Sequence, residues 1–390
     1  MARNRPVIFI LNWHLRIGGV ERKIVDVARY ISERPEYADH QVHLLLDEKP
    51  PRNSGERFFY DAVQDSSVHV SWKPQVRSRR FQFPYSLFLL WKVLVLRPDV
   101  ILAFLRRLAV VSVILKKLFR LKKTRIIISD DTITSLSLHH ETKNLIKRSL
   151  VFRLMKACYP GADLIVSPSG TSKRDLVETF GIPEDKIVVN RNWVTNWTRE
   201  THTTKIYDMI YVGRVDPEKD IGSMLDIMSE VAGSVSSFRA CIVGNGARLP
   251  NIRDLLGTDG LGNKVELTGA QRDVNRFLDR AKVFCLTSRY EGFPIAAIEA
   301  MARGLPVVTT AYPGADELVR QGETGYICES RAEYVERVTS LIEDDAERIR
   351  MGERAREYAR THHGAEALKL FAGLFMDGRR PQGPPAGTGG

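Results

Sequence analysis

The chain is predicted to be an α/β protein with two doubly wound parallel sheets, on three observations. Short apolar runs alternate with helical stretches along most of its 390 residues. The alternation comes in two series, separated by a polar stretch, 190–204, with no apolar period. Several strand-like runs end in glycine-bearing loops, and open α/β sheets place their ligands at that edge.

In the first series, strands are expected at 6–11, 41–46, 68–72, 99–103, 125–129, 163–167 and 187–190. Helices are expected from Glu21 to about Ile31 and over 86–96, 108–121, 143–159 and 172–180. The second series has strands at 206–212, 239–243, 264–267, 283–286, 306–309 and 326–327. Its helices fall at 224–231, 249–256, 274–281, 295–303 and 315–320, and three more at 332–343, 346–361 and 365–375 close the chain. The segment 378–390 is rich in Pro and Gly and reads as disordered.

The formal net charge is +11. Residues 1–200 carry 34 Lys+Arg against 20 Asp+Glu, while the remainder is slightly acidic. Such asymmetry implies an anionic partner for the first half: lipid, polyphosphate or nucleic acid. The cations concentrate at 73–80 and 106–125, where the second cluster is interleaved with apolar residues, and 81–91 is an aromatic-rich apolar stretch. This run, the longest uncharged one in that region, is too short to span a bilayer, so a basic amphipathic surface lying on one is expected. Cys158, Cys241, Cys285 and Cys328 fit no metal spacing and read as reduced thiols of a cytosolic protein. No long apolar core follows the N-terminal arginines, so no signal sequence is expected, and the sequon at Asn196 carries no weight.

The most informative stretch is 289–308, RYEGFPIAAIEAMARGLPVV. A buried strand ends at Leu286, a polar loop carries Glu291, and Pro294 suits the first position of a helix. Glu299 lies about one turn into that helix, and Gly304 and Pro306 stop it. N–H groups at a helix start favour anions or sugar oxygens. Glu299 can accept two hydrogen bonds from a ribose diol; Glu291 can reach a sugar hydroxyl or stabilise positive charge on a reacting carbon. Taken alone, Glu299 is an ordinary solvated helix residue.

Three other loops bear on the site. Gly18 and Gly19 lie between the first strand and helix, where the backbone can approach a ligand. Gly213, Arg214 and Lys219 follow the first strand of the second series; the two cations can clamp a pyrophosphate or form a solvated loop. Gly244 sits in the glycine-rich exit 243–246. The strand exit at Asp130 and Asp131 offers carboxylates that touch a ligand or cap the following segment, with capping preferred, and His14 is a further candidate.

The spacing Glu-x7-Glu, with Gly-Phe-Pro after the first Glu and Glu-Ala-Met-Ala-x-Gly-x-Pro-Val-Val around the second, resembles the signature of the family 4 retaining glycosyltransferases. Gly-Gly-Val-Glu-Arg at 18–22 is similar to that family's first loop, and Gly-Arg-x-x-x-x-Lys at 213–219 to its diphosphate clamp. One departure is Asp220, where a small residue is usual after the lysine, which is expected to weaken the lysine's charge slightly. Another is the absence of a histidine at the Asp130 strand exit; His139 and His140 lie downstream.

The resemblance implies a GT-B architecture, two Rossmann-like domains facing across a cleft. Residues 1–195 become an acceptor- and membrane-facing domain and 205–364 a nucleotide-sugar domain. Residues 365–377 become a helix returning to the first domain, and 378–390 a tail. It implies a hexosyl- or N-acetylhexosaminyl-type transferase that uses a nucleotide-diphosphate sugar, with UDP as the expected carrier, and a lipid-linked or other glycan acceptor. Arg214, Lys219 and Glu291 become the catalytic residues. Gly18, Gly19, Gly213, Arg214, Lys219, Gly244, Gly292, Phe293, Pro294, Ile295 and Glu299 become the donor site. Neither a cofactor nor a metal is expected, nor a nucleic-acid partner, and the protein is placed in the cytoplasm at the inner leaflet. Two other readings stay open on the residues: a nucleotide-sugar epimerase of the same architecture, and a basic nucleic-acid-binding protein.

Overall fold

A computed structural model describes residues 5–50, 57–74, 84–142, 144–195, 197, 203–258 and 260–376. The tail at 378–390, the cations Arg77, Arg79 and Arg80, and the sequon residues Asn196 and Thr198 lie outside the described residues. The chain divides into two compact units. The first holds residues up to Pro168, Ser172–Asn190 and those from Glu366 onward; the second holds Ser169–Thr171 and Arg191–Ala365.

The first unit is built on strands β1 (Val7–Asn12), β2 (Gln41–Leu46), β3 (His69–Trp72), β4 (Val100–Ala103), β5 (Arg125–Ser129), β6 (Leu164–Ser167) and β7 (Ile187–Val189). All pair in parallel, in the order β3-β2-β1-β4-β5-β6-β7. The apolar runs of β1, β4 and β6 are buried on both faces, as a parallel sheet between helical layers requires. The helices are α1 (Gly19–Glu33), α2 (Phe58–Gln64), α3 (Tyr85–Leu96), α4 (Arg106–Leu118), α5 (Thr134–Glu141), α6 (Leu145–Cys158) and α7 (Gly170–Phe180). Helices α3, α4, α6 and α7 share one core: Phe88, Val113, Met155 and Phe180 pack there with Phe9, Ile101, Ile126 and Ile165 of the strands.

The second unit repeats the plan. Strands β8 (Tyr207–Val212), β9 (Ala240–Val243), β10 (Val265–Gly269), β11 (Ala281–Leu286), β12 (Val307–Thr310) and β13 (Gly325–Cys328) form a parallel sheet ordered β10-β9-β8-β11-β12-β13. Its helices are α8 (Ile221–Ser234), α9 (Leu249–Thr258), α10 (Asn275–Leu278), α11 (Ile295–Ala302), α12 (Arg331–Glu343) and α13 (Asp345–His362). The strand order reverses between β8 and β11. At such a switch point the loops leave in opposite directions and open a crevice at the carboxyl edge.

Helix α14 (Ala365–Met376) ends the described chain and packs in the first unit. Phe371 lies 6.3 Å from the ring of Phe104, and Arg125 donates to the carbonyls of Leu374 and Phe375.

Several expected elements differ. The helix expected at 143–159 is preceded by a separate one, α5, and α2 has no counterpart in the sequence reading. Helices α2 and α5 span only 7 and 8 residues, too few for an apolar period to repeat. The helix expected at 315–320 is a single 3-10 turn, Ala315–Glu317, between Gly314 at φ 88° and the bend before β13. The four cysteines are free and buried, and burial pushes the thiols of Cys241, Cys285 and Cys328 up to about 12.

Candidate active site

The site is built from loops at the carboxyl edge of the second sheet. After β8, Gly213 leads into Arg214 and a 3-10 turn, Pro217–Lys219. After β11, a loop carries Ser288 and Glu291 to the start of α11. These two loops flank the switch point and are knitted together. Thr287 Oγ1 donates to the carbonyls of Lys219 (3.1 Å) and Asp220 (3.0 Å), and Arg289 N donates to the carbonyl of Glu218 (2.9 Å).

The result is a direct ion pair. Lys219 Nζ lies 2.6 Å from Glu291 Oε1, and Ser288 Oγ donates to the same oxygen at 2.6 Å. Both side chains are mostly buried, at 15% and 9% exposure. A charge-assisted bond with a second donor fixes the carboxylate's position.

Arg214 is differently placed. Its guanidinium is 61% exposed, held by Asp216 (2.5 Å) and Glu218 (2.6 Å) on its own loop. Tyr211 Oη donates to the Arg214 carbonyl at 2.7 Å; burial, then the nearby Glu291 charge, pushes that phenol's pKa well above its ordinary value. Asp220 does not turn toward Lys219: its Oδ2 accepts from Arg289 Nε at 3.1 Å. The residue sits at φ 47°, the left-handed region that favours glycine, which is a backbone reason for a small residue there.

Pro294 is the N-cap of α11 and not its first helical residue; the helix opens at Ile295. Helix geometry leaves the N–H groups of Ile295 and Ala296 without an intrahelical acceptor. Glu299 is buried in the second turn, 6% exposed. Phe293, in the preceding loop, is also buried, and its carbonyl accepts from Asn192 Nδ2 at 2.8 Å.

Gly213 and Gly244 each stand where a Cβ has no room. A Cβ on Gly244, whose φ is 147°, would come 1.8 Å from the Gly213 carbonyl oxygen, and one on Gly213 would meet Tyr211 Oη at 2.6 Å. The β8 and β9 exits thus pack main chain against main chain. In the first unit, Gly18 is the N-cap of α1 and Gly19 its first residue, so the helix starts two residues earlier than the sequence suggests. A Cβ on Gly18 would meet the Glu21 carboxylate at 2.2 Å. Nearby, burial, helped by Arg16, pushes the His14 pKa down.

At the β5 exit, neither aspartate caps α5. Ser135 N instead takes Asp175 Oδ2 of α7 at 2.9 Å. Asp131 pairs with Lys23 Nζ at 2.6 Å, both buried, and Lys23 also sits 4.6 Å from the ring centroid of Phe371 on α14. Asp130 accepts from Thr134 Oγ1 at 2.6 Å, and burial raises its pKa to about 6.

Sequence reasoning also missed Asn192 and His363. His363 Nδ1 lies 2.9 Å from the Asn192 carbonyl, so that nitrogen carries the proton, and the ring packs 5.0 Å from Phe293. Burial depresses its pKa to about 3, so it is neutral. No short-range pattern signals this cluster, whose members are far apart in sequence.

Two family models match in tandem: Glycosyltransferase Family 4 over residues 17–195 and Glycosyl transferases group 1 over 197–358. The chain belongs to the family 4 glycosyltransferases.

Among curated relatives, a putative colanic acid biosynthesis glycosyltransferase, WcaL, of Salmonella typhimurium is 32% identical over 39% of this chain and 40% of its own length. A Campylobacter jejuni enzyme, N-acetylgalactosamine-N,N'-diacetylbacillosaminyl-diphospho-undecaprenol 4-alpha-N-acetylgalactosaminyltransferase, is 26% identical over 64% of this chain and 70% of its own length. The match spans less than half the length of the first curated relatives. Among solved structures, HepE of Anabaena in complex with UDP and glucose superposes with a TM-score of 0.77 at 18% identity, covering 95% of this chain and 99% of that one. TarM of S. aureus gives 0.74 at 13% identity, covering 95% and 100%. The two parallel-sheet units therefore have the fold of the GT-B glycosyltransferases.

Proposed function

We propose that this chain is a retaining glycosyltransferase. It moves a hexosyl or N-acetylhexosaminyl unit from a nucleotide-diphosphate sugar, with UDP as the carrier, to a hydroxyl of a lipid-linked glycan at a membrane surface. The observation that carries the reading is the Lys219–Glu291 pair at the switch point of the second sheet, 2.6 Å apart and braced by Ser288. Two features support the donor assignment: Arg214 stands on the same loop as Lys219, and Glu299 is buried one turn beyond the Glu291 loop.

In the reaction the bond from the sugar's anomeric carbon to the diphosphate oxygen breaks. A bond to the acceptor oxygen forms on the same face, and the acceptor's proton passes to the departing diphosphate. Arg214 and Lys219 take up the charge that develops on the diphosphate. Glu299 accepts from the ribose hydroxyls, and Glu291, held in place by Lys219 and Ser288, faces the sugar. Metal is not required, because the two cations do the work a divalent ion does elsewhere. The UDP and glucose in the HepE structure and the diphospho-undecaprenol in the Campylobacter enzyme's name support the donor and acceptor classes.

A thermal-shift panel of UDP-, GDP- and ADP-sugars tests the donor. Saturating UDP-sugar, at about 100 times its Kd, is expected to stabilise the fold by about 2.7 kcal/mol. No shift with any nucleotide sugar overturns the reading, and isomerised donor without transfer replaces it with an epimerase.

A further inference from the structure

Most of the exposed large hydrophobics of the described residues gather on one layer of the first unit. Eleven of the fifteen belong to α3, α4 with its cap Phe119, and α6. These helices bury their inner sides in one core against the same face of the sheet, and α4 packs against α6. Their outer sides carry Trp91 and Val95 on α3, Leu118 on α4, and Ile146, Leu150 and Leu154 on α6. Ile146 is 82% exposed, and Ile146, Leu150 and Leu154 recur at i, i+4 and i+8, forming one stripe along the helix. A stripe of this kind in a soluble layer is paired with something.

Charge identifies the occupant. The three helices hold nine Lys and Arg and no Asp or Glu. Lys116 is committed to Asp163 and Arg106 to Glu141. Arg107, Lys117, Lys147, Arg153 and Lys156 are exposed and have no acidic partner among the described residues. Large aliphatics and an indole beside unpaired cations, over three adjacent helices, match the boundary between anionic headgroups and acyl chains. A second copy of the same face would bring these cations against each other.

We propose that the α3–α4–α6 face of the first unit docks on an anionic bilayer, with α6 lying in the interface. Ile146, Leu150 and Leu154 enter the acyl boundary, and Lys147 and Arg153 meet the headgroups. No helix among the described residues is long and apolar enough to cross a membrane, so the contact is monotopic. The inference rests on the membrane part of the functional reading and adds the element that inserts; its test is independent of sugar transfer.

The test is flotation of the full chain with vesicles of phosphatidylglycerol and phosphatidylcholine, against phosphatidylcholine alone. Wild type is expected to float with the anionic vesicles, and Ile146→Ser/Leu150→Ser to bind at least about tenfold more weakly. Lys147→Ala/Arg153→Ala is also expected to weaken binding. At ~0.5 M salt, where charge is screened within about 4 Å, part of the wild-type binding persists and the aliphatic double variant is released. Brominated lipid should quench fluorescence in wild type more than in Trp91→Phe.

Equal affinity of wild type and Ile146→Ser/Leu150→Ser overturns the proposal. So does full release by salt without quenching at Trp91, which is adsorption by charge alone. A concentration-dependent dimer that Ile146→Ser/Leu150→Ser abolishes, without flotation, assigns the face to a second copy and overturns it too. Unchanged melting temperatures certify the variants. Flotation without a nucleotide-sugar thermal shift removes the transferase reading and leaves the docking; a shift without flotation does the reverse.

Discussion

Lys219 Nζ and Glu291 Oε1 meet 2.6 Å apart, although 72 residues separate them along the chain. Neither is placed by its own loop alone. Thr287, the first residue beyond β11, holds the carbonyls of Lys219 and Asp220, so the β11 exit grips the β8 exit and the two side chains arrive already facing. Lys219→Ala and Glu291→Ala are each expected to lower kcat by roughly 100-fold or more, since each removes a charge placed before the reaction. Because the residues act as a unit, the double variant should be little worse than either single one. Steady-state rates of nucleotide-diphosphate release check this, and near-normal turnover in both single variants contradicts it.

Asn192 and His363 are expected to act on the Glu291 loop through Phe293. Asn192→Ala leaves the Phe293 carbonyl buried without its donor, which costs roughly 1–3 kcal/mol. Denaturant unfolding measures that loss. If the role is positioning, kcat falls in the residual folded enzyme more than KM rises; a pure stability defect leaves kcat per folded molecule unchanged.

Asp130 sets a pH dependence. Its native pKa, raised by burial to about 6, lies above the ordinary carboxylate value of 3.8. The folded state therefore holds the proton more tightly than the unfolded one, and this contribution to stability is lost as pH rises from about 4 to about 6. Asp130→Asn keeps an oxygen for Thr134 and has no charge to bury. It should match wild type near pH 3.5 and exceed it by up to about 3 kcal/mol above pH 7. Parallel unfolding curves at the two pH values decide; a gap that is constant with pH rules the effect out.

Gly244→Ala should be severely destabilising, by about 3 kcal/mol, since the position has φ 147° and the new Cβ would overlap the Gly213 carbonyl. Gly233→Ala, on α8 with nothing within 4 Å of the added carbon, is the matched control and should be neutral or slightly stabilising. Melting temperatures of the pair distinguish local backbone packing from a general intolerance of the second unit.

Chelation should leave turnover intact. Transfer measured with and without EDTA is expected to differ by less than about twofold, because in the proposed reaction Arg214 and Lys219 supply the positive charge for the diphosphate. Loss of activity restored by a divalent ion removes that assignment.

The parts of this molecule legible in its sequence are those with local punctuation. The loop from β11 into α11 is marked by Gly292, Pro294, Gly304 and Pro306, and the two parallel sheets by apolar runs that recur at regular distance. Helices α2 and α5 were not legible, because short helices with few apolar repeats look like loops. Lys23 was not legible either: a lysine in an amphipathic helix reads as solvated, yet it is buried against Asp131 because β5 and α14 close over it. Asp175, which supplies the α5 N-terminus with its acceptor, comes from 40 residues away, where a nearby aspartate looked sufficient. Each of these depends on a partner distant in sequence, and such partners leave no trace in spacing.

The last helix also bears on how the protein is made. Lys23 and Arg125 complete their contacts only with α14, which lies beyond the whole of the Arg191–Ala365 segment. On the ribosome that segment takes roughly 10–40 s to synthesise, at about 5–20 residues per second. Throughout that interval the nascent first sheet lacks its final cover, and Lys23 has its carboxylate but not its aromatic roof. Chaperone binding and aggregation during expression should therefore track translation speed over the second half of the message, and a chain stalled before Ala365 should be a client for degradation.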